Sequence, residues 1–391
     1  MLYYLIDYLE QLYQPPGFQA IRFINNRAAL AAITALIISL YAGRHIIAWL
    51  RKRQIGEQVR EGVRAGAVDH SHKAGTPTMG GVIILISVLG ATLLWGAIGQ
   101  VYVWLILLVT AWMGAFGFAD DYIKVVKRDK SGLPARIKLI GQVSIGIILG
   151  AVLYFHPLFQ EVRAQTYLPF IPFVDSVRFD YAFFQEWLGT NLDLDLGWIV
   201  YIPVAVFIVT AVSNAVNLTD GLDGLAAGVT AIVGLGLSAL VYSAGRVDFA
   251  EFLNIIYLRG ASELVVFAIA MAAACFGFLW HNGYPASVFM GDTGSLALGA
   301  AVGALALMIR IELLLPLLCS IYFIETLSVV IQTSYFKYTR RKTGTGKRVF
   351  RMAPIHHHFE AMGVHEAKIA VRFWIVTAIT VIASLLMLRL H

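Results

Sequence analysis

Long apolar stretches without a charged residue recur along the chain. Four of them contain no Asp, Glu, Lys or Arg: 74–119, 139–160, 196–219 and 224–245. About 20 apolar residues cross a bilayer as a helix, so the first stretch can hold two spans and each of the others one. The strands of a membrane barrel alternate polar and apolar residues over about 10 positions, and these stretches do not alternate. The pattern predicts an all-α polytopic membrane protein and excludes a β-barrel.

Ten transmembrane helices account for the apolar pattern. We place them at about residues 24–44, 79–98, 101–120, 138–156, 197–215, 225–243, 262–280, 295–309, 313–336 and 369–388, from the length that a helix needs to cross a bilayer. An even number of spans leaves both termini on the same side. The sequence has no internal repeat and no low-complexity tract, so we expect residues 1–391 to form a single membrane domain.

The few charged residues orient the chain. Only 14% of the residues are charged and 59% are hydrophobic, against about 25% and 45–50% in an average soluble domain. The loops 44–78, 121–138 and 337–372 hold 22 of the 30 lysines and arginines and share one side in the ten-span topology, whereas the opposite loop 160–197 is acidic. Basic loops stay in the cytoplasm, which predicts that both termini are periplasmic. The net charge of +6 then reflects topology, and a nucleic-acid partner is excluded.

Polar residues concentrate in five loops on the predicted cytoplasmic face. In the first, 73–81, Thr76 and Pro77 suit the N-cap and first position of the second span, and the free amides of a helix start can bind an anion. The second carries Asp120 and Asp121 where the third span ends. A helix C-terminus disfavours acids, so a metal ion, the following lysines or both must offset them, unless the pair is simply solvated.

The third and fourth loops add oxygen-bearing side chains. Two Asn, two Asp and two Gly lie within residues 214–224, a density of amide and carboxylate oxygens that suits a hard cation or the hydroxyls of a sugar. This loop contains Asn217, Asp220 and Asp223. Asp292 lies at the N-terminal entry of the eighth span, where capping the helix is the alternative role. Asn282 and the aromatic Phe289 in the same loop favour a site that binds and stacks on a ligand.

The fifth loop contains three consecutive histidines, His356, His357 and His358, in a strongly basic segment. Adjacent histidines lack the i, i+4 spacing that places two metal ligands on one helix face, which favours binding of an anion or a hydroxyl over zinc. Glu325 lies between apolar residues inside the ninth span. An acid at that depth is either functional or the buried partner of a neighbouring helix, and both roles stay open.

Together the five loops indicate phosphoryl transfer at the membrane surface. Spans two, four, six and eight begin at the predicted cytoplasmic face, so their positive dipole ends point towards the acids and lysines. Transfer of a phosphoryl group needs a cation, positive groups for the leaving group, and a base or an aligned nucleophile. A secondary transporter also places acids in membrane helices, but near the midplane and often in matched halves. Here the acids lie at loop ends and no halves match.

Five motifs carry a family resemblance. In chain order they are Lys73-x-Gly-Thr-Pro-Thr-Met-Gly-Gly81, Ala-Asp120-Asp121-Tyr, Asn217-Leu-Thr-Asp220-Gly-Leu-Asp223-Gly, Phe-Met-Gly291-Asp292-Thr-Gly-Ser and Pro-Ile-His356-His-His358. Across nearly the whole chain they closely resemble the phospho-N-acetylmuramoyl-pentapeptide transferase family. This family belongs to the polyprenyl-phosphate N-acetylhexosamine-1-phosphate transferase superfamily.

The resemblance implies an enzyme of peptidoglycan synthesis in the bacterial inner membrane. Such an enzyme moves phospho-MurNAc-pentapeptide from UDP-MurNAc-pentapeptide to undecaprenyl phosphate, giving lipid I and UMP, with Mg2+ as cofactor. A homodimer is a further family expectation. The alternative within the superfamily is a UDP-GlcNAc:polyprenyl-phosphate GlcNAc-1-phosphate transferase, which would share the metal site. The histidine loop and the 73–81 motif favour the muramoyl-peptide enzyme.

The family pattern also implies roles for individual residues. Asp292 would ligate Mg2+, and Asp120 would be the base for the lipid phosphate, with Asp121 beside it. Asn217 and Asp220 would complete the polar floor of the catalytic site. The substrate-binding residues would be Lys73, Thr78, Lys124, Asp223, Asn282, Phe289, His356, His357 and His358, with Phe289 stacked on the uracil. Either the lipid phosphate attacks the β-phosphorus in one step, or a carboxylate first forms a phospho-enzyme.

Overall fold

The structure, a computed structural model, describes residues 1–52, 73, 75–127, 129, 131–169, 178–183 and 195–388. Several loop charges that orient the chain lie outside the described residues: Arg53, Arg60, Arg64, Arg128, Lys130, Asp175, Glu186 and Asp193. The placement of the basic loops in the cytoplasm and of both termini in the periplasm therefore stays a prediction.

Helices make up nearly all of the described secondary structure. Their bounds are α1 Leu2–Tyr13, α2 Ile24–Lys52, α3 Gly81–Trp95, α4 Val101–Val125, α5 Ala135–Phe155, α6 Trp198–Thr219, α7 Leu225–Ala244, α8 Val247–Phe252, α9 Leu264–Asn282, α10 Gly291–Met308, α11 Leu315–Leu318, α12 Ser320–Thr343, α13 Ile355–Glu360 and α14 Glu366–Met387. Two short strands, β1 Gln165–Tyr167 and β2 Arg178–Asp180, pair antiparallel. The Tyr167 N–H donates to the Arg310 carbonyl at 2.7 Å, which fastens this hairpin beyond the C-terminal end of α10.

Eight helices among the described residues are long and apolar enough to cross a membrane: α2, α4, α5, α6, α7, α9 with the turn before it, α10 and α14. A ninth span exists if the segments Glu312–Leu318 and Ser320–Thr343, bent by 84° at their junction, count as one. The second predicted span is α3, which has 15 residues and is about 22 Å long at about 1.5 Å per residue. The all-α polytopic class is confirmed, and the count of ten stays a prediction.

Helix α3 begins later than the sequence predicts. Its first residue is Gly81 and Gly80 occupies the N-cap position, so Thr76 and Pro77 precede the helix and the prediction that they cap it was wrong. The physical reason is that the backbone here pairs with another loop. The Phe289 N–H donates to the Pro77 carbonyl at 2.8 Å, and the Gly80 N–H donates to the Phe289 carbonyl at 2.8 Å.

Helix α10 is the buried centre of the bundle, and small residues let its neighbours approach. Residues 293–308 are all buried. A Cβ on Gly299 would lie 2.6 Å from the Cα of Ser213 in α6, and one on Gly81 would lie 2.1 Å from the backbone nitrogen of Gly294. Small residues at such crossings allow membrane helices to pack backbone against backbone. The N-terminal end of α10 therefore lies where α3, α4 and α6 converge.

Candidate active site

Three aspartates from two helices meet at this end of α10. Asp120 and Asp121 lie near the C-terminal end of α4, and Asp292 lies in the first turn of α10. One carboxylate oxygen of each residue can be chosen so that all lie within 4.8 Å of one another. Gly117 permits this approach, because a Cβ there would lie 2.2 Å from the Asp292 carbonyl oxygen. Two loops that are distant in the sequence thus form one acidic cluster.

Asp121 caps helix α10. Its Oδ1 accepts a hydrogen bond from the Asp292 N–H at 3.1 Å, and its Oδ2 accepts from the Thr293 N–H at 2.9 Å and from the Thr293 hydroxyl at 2.6 Å. The first amides of a helix have no partner within the helix and carry its positive dipole end. Asp121 satisfies two of these amides, so the cap predicted as one possible role for Asp292 is supplied by Asp121 instead.

Two lysines bridge the other two carboxylates. The Nζ of Lys124 lies 2.5 Å from Asp120 Oδ2 and 3.2 Å from Asp292 Oδ2. The Nζ of Lys138, in the first turn of α5, lies 2.9 Å from Asp120 Oδ1 and 2.7 Å from Asp292 Oδ2. The Leu133 N–H also donates to Asp120 Oδ1 at 2.7 Å. Lysines therefore offset these acids, one of the two ways that the sequence predicted.

Asn217, close to the C-terminal end of α6, completes the cluster. Its Nδ2 donates to Asp292 Oδ1 and to Ser295 Oγ, both at 2.9 Å. One oxygen of Asp292 thus faces an amide and the other faces the two lysines. Asp220 follows on the same turn, at the C-cap position of α6, and is partly buried.

A second charged group surrounds Lys73. Its Nζ lies 2.7 Å from Asp223 Oδ1 and 2.5 Å from Glu366 Oε2. Burial alone would lower the pKa of Lys73, but the hydrogen bonds and charges of the two carboxylates outweigh it and raise that pKa above its ordinary value. The same Nζ lies 5.9 Å from the ring centre of the partly exposed Phe289. A cation, two carboxylates and an aromatic ring are therefore grouped around Lys73.

Asn282 fixes the loops around this second group. Its Oδ1 accepts from the Gly224 N–H at 3.1 Å, and its Nδ2 donates to the Val288 carbonyl at 2.9 Å. The Ala286 N–H donates to the remaining oxygen of Asp223 at 2.9 Å. The turn that follows α6 and the loop that precedes α10 are thereby held together. Thr78 lies on the neighbouring stretch before α3 and is partly buried.

The three histidines have different partners. His356 is fully buried, with its Nδ1 3.0 Å from Glu325 Oε2. His357 Nδ1 lies 2.5 Å from Glu360 Oε2. The Nδ1 of His358 accepts a hydrogen bond from a backbone N–H at 3.1 Å, that of Arg351. His357 and His358 are partly exposed, so these two rings are the ones that a ligand can reach without rearrangement.

The predicted site residues thus fall into groups that share neighbours. The acidic cluster consists of Asp120, Asp121, Lys124, Asn217 and Asp292. The second group consists of Lys73, Asp223 and Phe289. The connecting stretches carry Asp220, Asn282 and Thr78, and α13 carries the three histidines. The prediction missed Lys138 and Glu366. A sequence signal for a functional Lys138 was present, because it is a basic residue at the start of an apolar helix. No such signal marks Glu366, because an acid in the first turn of a helix is common.

The fold and the cluster define a polytopic membrane protein with an acidic site at the ends of its helices, and comparison with a family model makes it a transferase. Residues 103–310 match the model of glycosyl transferase family 4, a range that includes all three clustered aspartates. Residues 73–85 match phospho-N-acetylmuramoyl-pentapeptide-transferase signature 1, which includes Lys73 and Thr78.

Relatives that match over their full length identify the family within this class. The chain is 66% identical to the phospho-N-acetylmuramoyl-pentapeptide-transferase of Salinibacter ruber, 50% identical to that of Chloroherpeton thalassium and 45% identical to that of Parabacteroides distasonis, with all of both chains covered in each case. The chain belongs to the phospho-N-acetylmuramoyl-pentapeptide-transferase family. The predicted family is confirmed, and the protein is a multi-pass membrane enzyme.

Proposed function

We propose that this enzyme transfers phospho-MurNAc-pentapeptide from UDP-MurNAc-pentapeptide to undecaprenyl phosphate, on the cytoplasmic face of the bacterial inner membrane. An oxygen of the lipid phosphate bonds to the β-phosphorus of the donor, and the bond from that phosphorus to the bridging oxygen breaks. The products are lipid I and UMP, which keeps the bridging oxygen. The first membrane step of peptidoglycan synthesis has this chemistry.

One observation carries the proposal: Lys124 and Lys138 each bridge Asp120 and Asp292 at the helix ends. Transfer between two phosphates brings several negative charges together, and catalysis consists mostly of positioning and charge stabilisation. In our proposal the two ammonium groups hold the phosphates of donor and acceptor. Asp120, freed from a lysine as the lipid phosphate arrives, accepts the proton of that phosphate.

The cluster also fits a hard divalent cation, which we propose is Mg2+. Carboxylate and amide oxygens are the ligands that Mg2+ prefers in proteins, and with three aspartates against two lysines the cluster has a net charge of −1 when all are ionised. Asp292 would hold the ion, with Asp120, Asp121 and Asn217 around it. When bound, Mg2+ would neutralise charge on the pyrophosphate. Asp220 would complete the polar floor beside Asn217.

We assign the nucleotide end of the donor to the second group. Phe289 would stack on the uracil, and Lys73 and Asp223 would hold the uridine, with Thr78 and Asn282 shaping the loops around it. Lys124 would contact the pyrophosphate. The partly exposed His357 and His358 would contact the sugar–peptide, with His356 beneath them.

The acceptor lipid would occupy an apolar groove between α5 and α6. This groove has a volume of about 770 Å³ and is lined by residues such as Val143, Ile202 and Phe207. Its lining includes Leu139, the neighbour of Lys138 in the sequence, so a polyprenyl tail lying in it would place its phosphate beside the acidic cluster. We further propose that residues 1–391 act as one membrane domain and that the enzyme works as a homodimer.

A turnover assay tests the proposal. The purified enzyme in detergent is given undecaprenyl phosphate and Mg2+ with either UDP-MurNAc-pentapeptide or UDP-GlcNAc, and released UMP is measured. We expect UMP only with the muramoyl-pentapeptide donor. Release only with UDP-GlcNAc would replace the proposal by GlcNAc-1-phosphate transfer, and release without lipid acceptor would contradict direct transfer to the lipid.

A further inference from the structure

Glu325 is a carboxylate buried in α12, the helix that follows the 84° bend. Both Glu325 and His356 are completely buried, and Glu325 Oε2 lies 3.0 Å from His356 Nδ1. Within the part of the chain that the structure describes, neither side chain has a well-aligned hydrogen bond, so this 3.0 Å approach is the polar contact that each of them has. A buried ionisable group is costly unless it is paired. Each of the two residues therefore depends on the other.

Glu325 is the first member of a polar stripe along α12 that receives the histidine segment. Gln332, seven residues on, accepts from the N–H groups of Val349 and Phe350 at 3.0 and 2.9 Å. Thr339, seven residues further, accepts from the Lys347 N–H at 2.8 Å. Residues seven apart lie on the same face of a helix. The chain from 347 to 356 thus runs back along one face of α12, and Glu325 fixes its end.

The other ring nitrogen of His356 lies against the turn of the candidate site. A Cβ added to Gly221 would lie 2.2 Å from His356 Nε2, so this ring supports the turn directly and Gly221 has no room for a side chain. Gly221 stands between Asp220 and Asp223 in the sequence. A shift of the ring would therefore move the turn that carries both carboxylates.

We propose that Glu325 is a positioning residue that acts through His356. The carboxylate oxygen lies 3.0 Å from Nδ1 and favours the tautomer that is protonated there, since its negative charge stabilises a proton on the nearer ring nitrogen. Nε2 then stays unprotonated and packs against Gly221 without a hydrogen atom in the way. The pair sets the turn between α6 and α7. The inference rests on the proposed function in one respect, which is that this turn takes part in turnover.

A double-mutant cycle tests the coupling. We expect Glu325→Ala and His356→Ala each to lower kcat by about 10- to 100-fold, as loss of a residue that orients a functional histidine commonly does. If Glu325 acts through His356, the double variant is no worse than His356→Ala alone. Glu325→Gln keeps an oxygen that can accept from Nδ1 and should recover most of the loss. Thr333→Ala, an exposed position on α12, is the matched control and should be unchanged.

A second measurement does not depend on turnover. The enzyme labelled with 15N-histidine in detergent reports the tautomer of each ring, and His356→Gln identifies the His356 signals. We expect the Nδ1-protonated form in the wild type and in Glu325→Gln, and its loss in Glu325→Ala. Losses of activity that multiply in the double variant, or an Nε2-protonated ring in the wild type, would overturn the inference. If the wild type fails to turn over the donor, the proposed function fails and the spectra alone decide this inference.

Discussion

Asp121 accepts hydrogen bonds from both the backbone N–H and the hydroxyl of Thr293, at 2.9 and 2.6 Å. This contact joins the C-terminal end of α4 to the first turn of α10, and these are the two helices that carry Asp120 and Asp292. Asp121 therefore fixes the positions of Asp120 and Asp292 relative to each other. The adjacent aspartates consequently differ in role although they are neighbours in the sequence.

The first prediction separates these roles. In Asp121→Asn the amide group cannot accept at both of its ends, so part of the α10 cap is lost. We expect the free energy of unfolding to fall by about 1–2 kcal/mol, the usual effect of losing a helix cap, together with a partial loss of activity. Thermal unfolding in detergent measures the first effect and UMP release the second. Abolished activity with an unchanged unfolding midpoint would assign Asp121 to catalysis instead.

Lys138 supplies the second prediction. Its ammonium group lies within 3 Å of a carboxylate oxygen of both Asp120 and Asp292, so Lys138→Ala removes a positive charge where phosphate would bind. We expect kcat to fall by at least about 100-fold, as for other groups that stabilise charge in the transition state. Lys127→Ala removes an exposed lysine from the segment between α4 and α5 and serves as the control. Equal activity in the two variants would exclude a role for Lys138 in catalysis.

The third prediction concerns the metal. If Asp292 holds Mg2+, Asp292→Asn should abolish Mg2+-dependent turnover, because a neutral amide binds a hard cation far more weakly than a carboxylate does. The measurement is UMP release as a function of Mg2+ concentration. Asp248→Asn, at an exposed position distant from the cluster in the sequence, should titrate like the wild type. Near-normal activity of Asp292→Asn would rule out the ligand role.

The fourth prediction follows from the raised pKa of Lys73. A lysine whose pKa is higher in the folded state contributes stability that is complete below its unfolded value, about 10.4, and is lost as the pH rises through the folded value. Lys73→Met removes this contribution, because it takes away the ammonium group beside Asp223 and Glu366. We expect its unfolding midpoint to lie below that of the wild type up to about pH 10, and the difference to shrink at higher pH. A constant difference would contradict the argument.

The outline of the fold could be predicted because the length of each apolar stretch is a local property of the sequence. The charge-free stretches 196–219 and 224–245 correspond to α6 and α7 within a few residues. The bend beside Cys319 could not be predicted, because the two apolar segments that it separates are continuous in the sequence and together predict one span. The start of α3 was placed too early, since the partner of Pro77 is the backbone of a loop far along the chain.

The members of the site could be predicted more readily than their partners. Acids at the ends of membrane helices stand out against an apolar background, so Asp120, Asp121 and Asp292 were found without a structure. The different roles of Asp120 and Asp121 depend on which side of α4 each carboxylate faces and on what packs there. The contact of Lys73 with Glu366 joins residues 293 positions apart, and no local pattern indicates it.

The last prediction decides between direct transfer and a phospho-enzyme. Asp121 is committed to the cap of α10, and Asp120 and Asp292 are each held by two lysines. A carboxylate that attacks phosphorus would have to give up these bonds and leave the lysines unpaired, whereas an arriving lipid phosphate can replace a carboxylate as their partner. We therefore expect one-step transfer. Donor labelled with 32P at the β-phosphate, mixed with enzyme and Mg2+ but no lipid, should leave no label on the protein and release no UMP. Labelled protein that is lost in Asp120→Asn would establish the two-step route and identify its nucleophile.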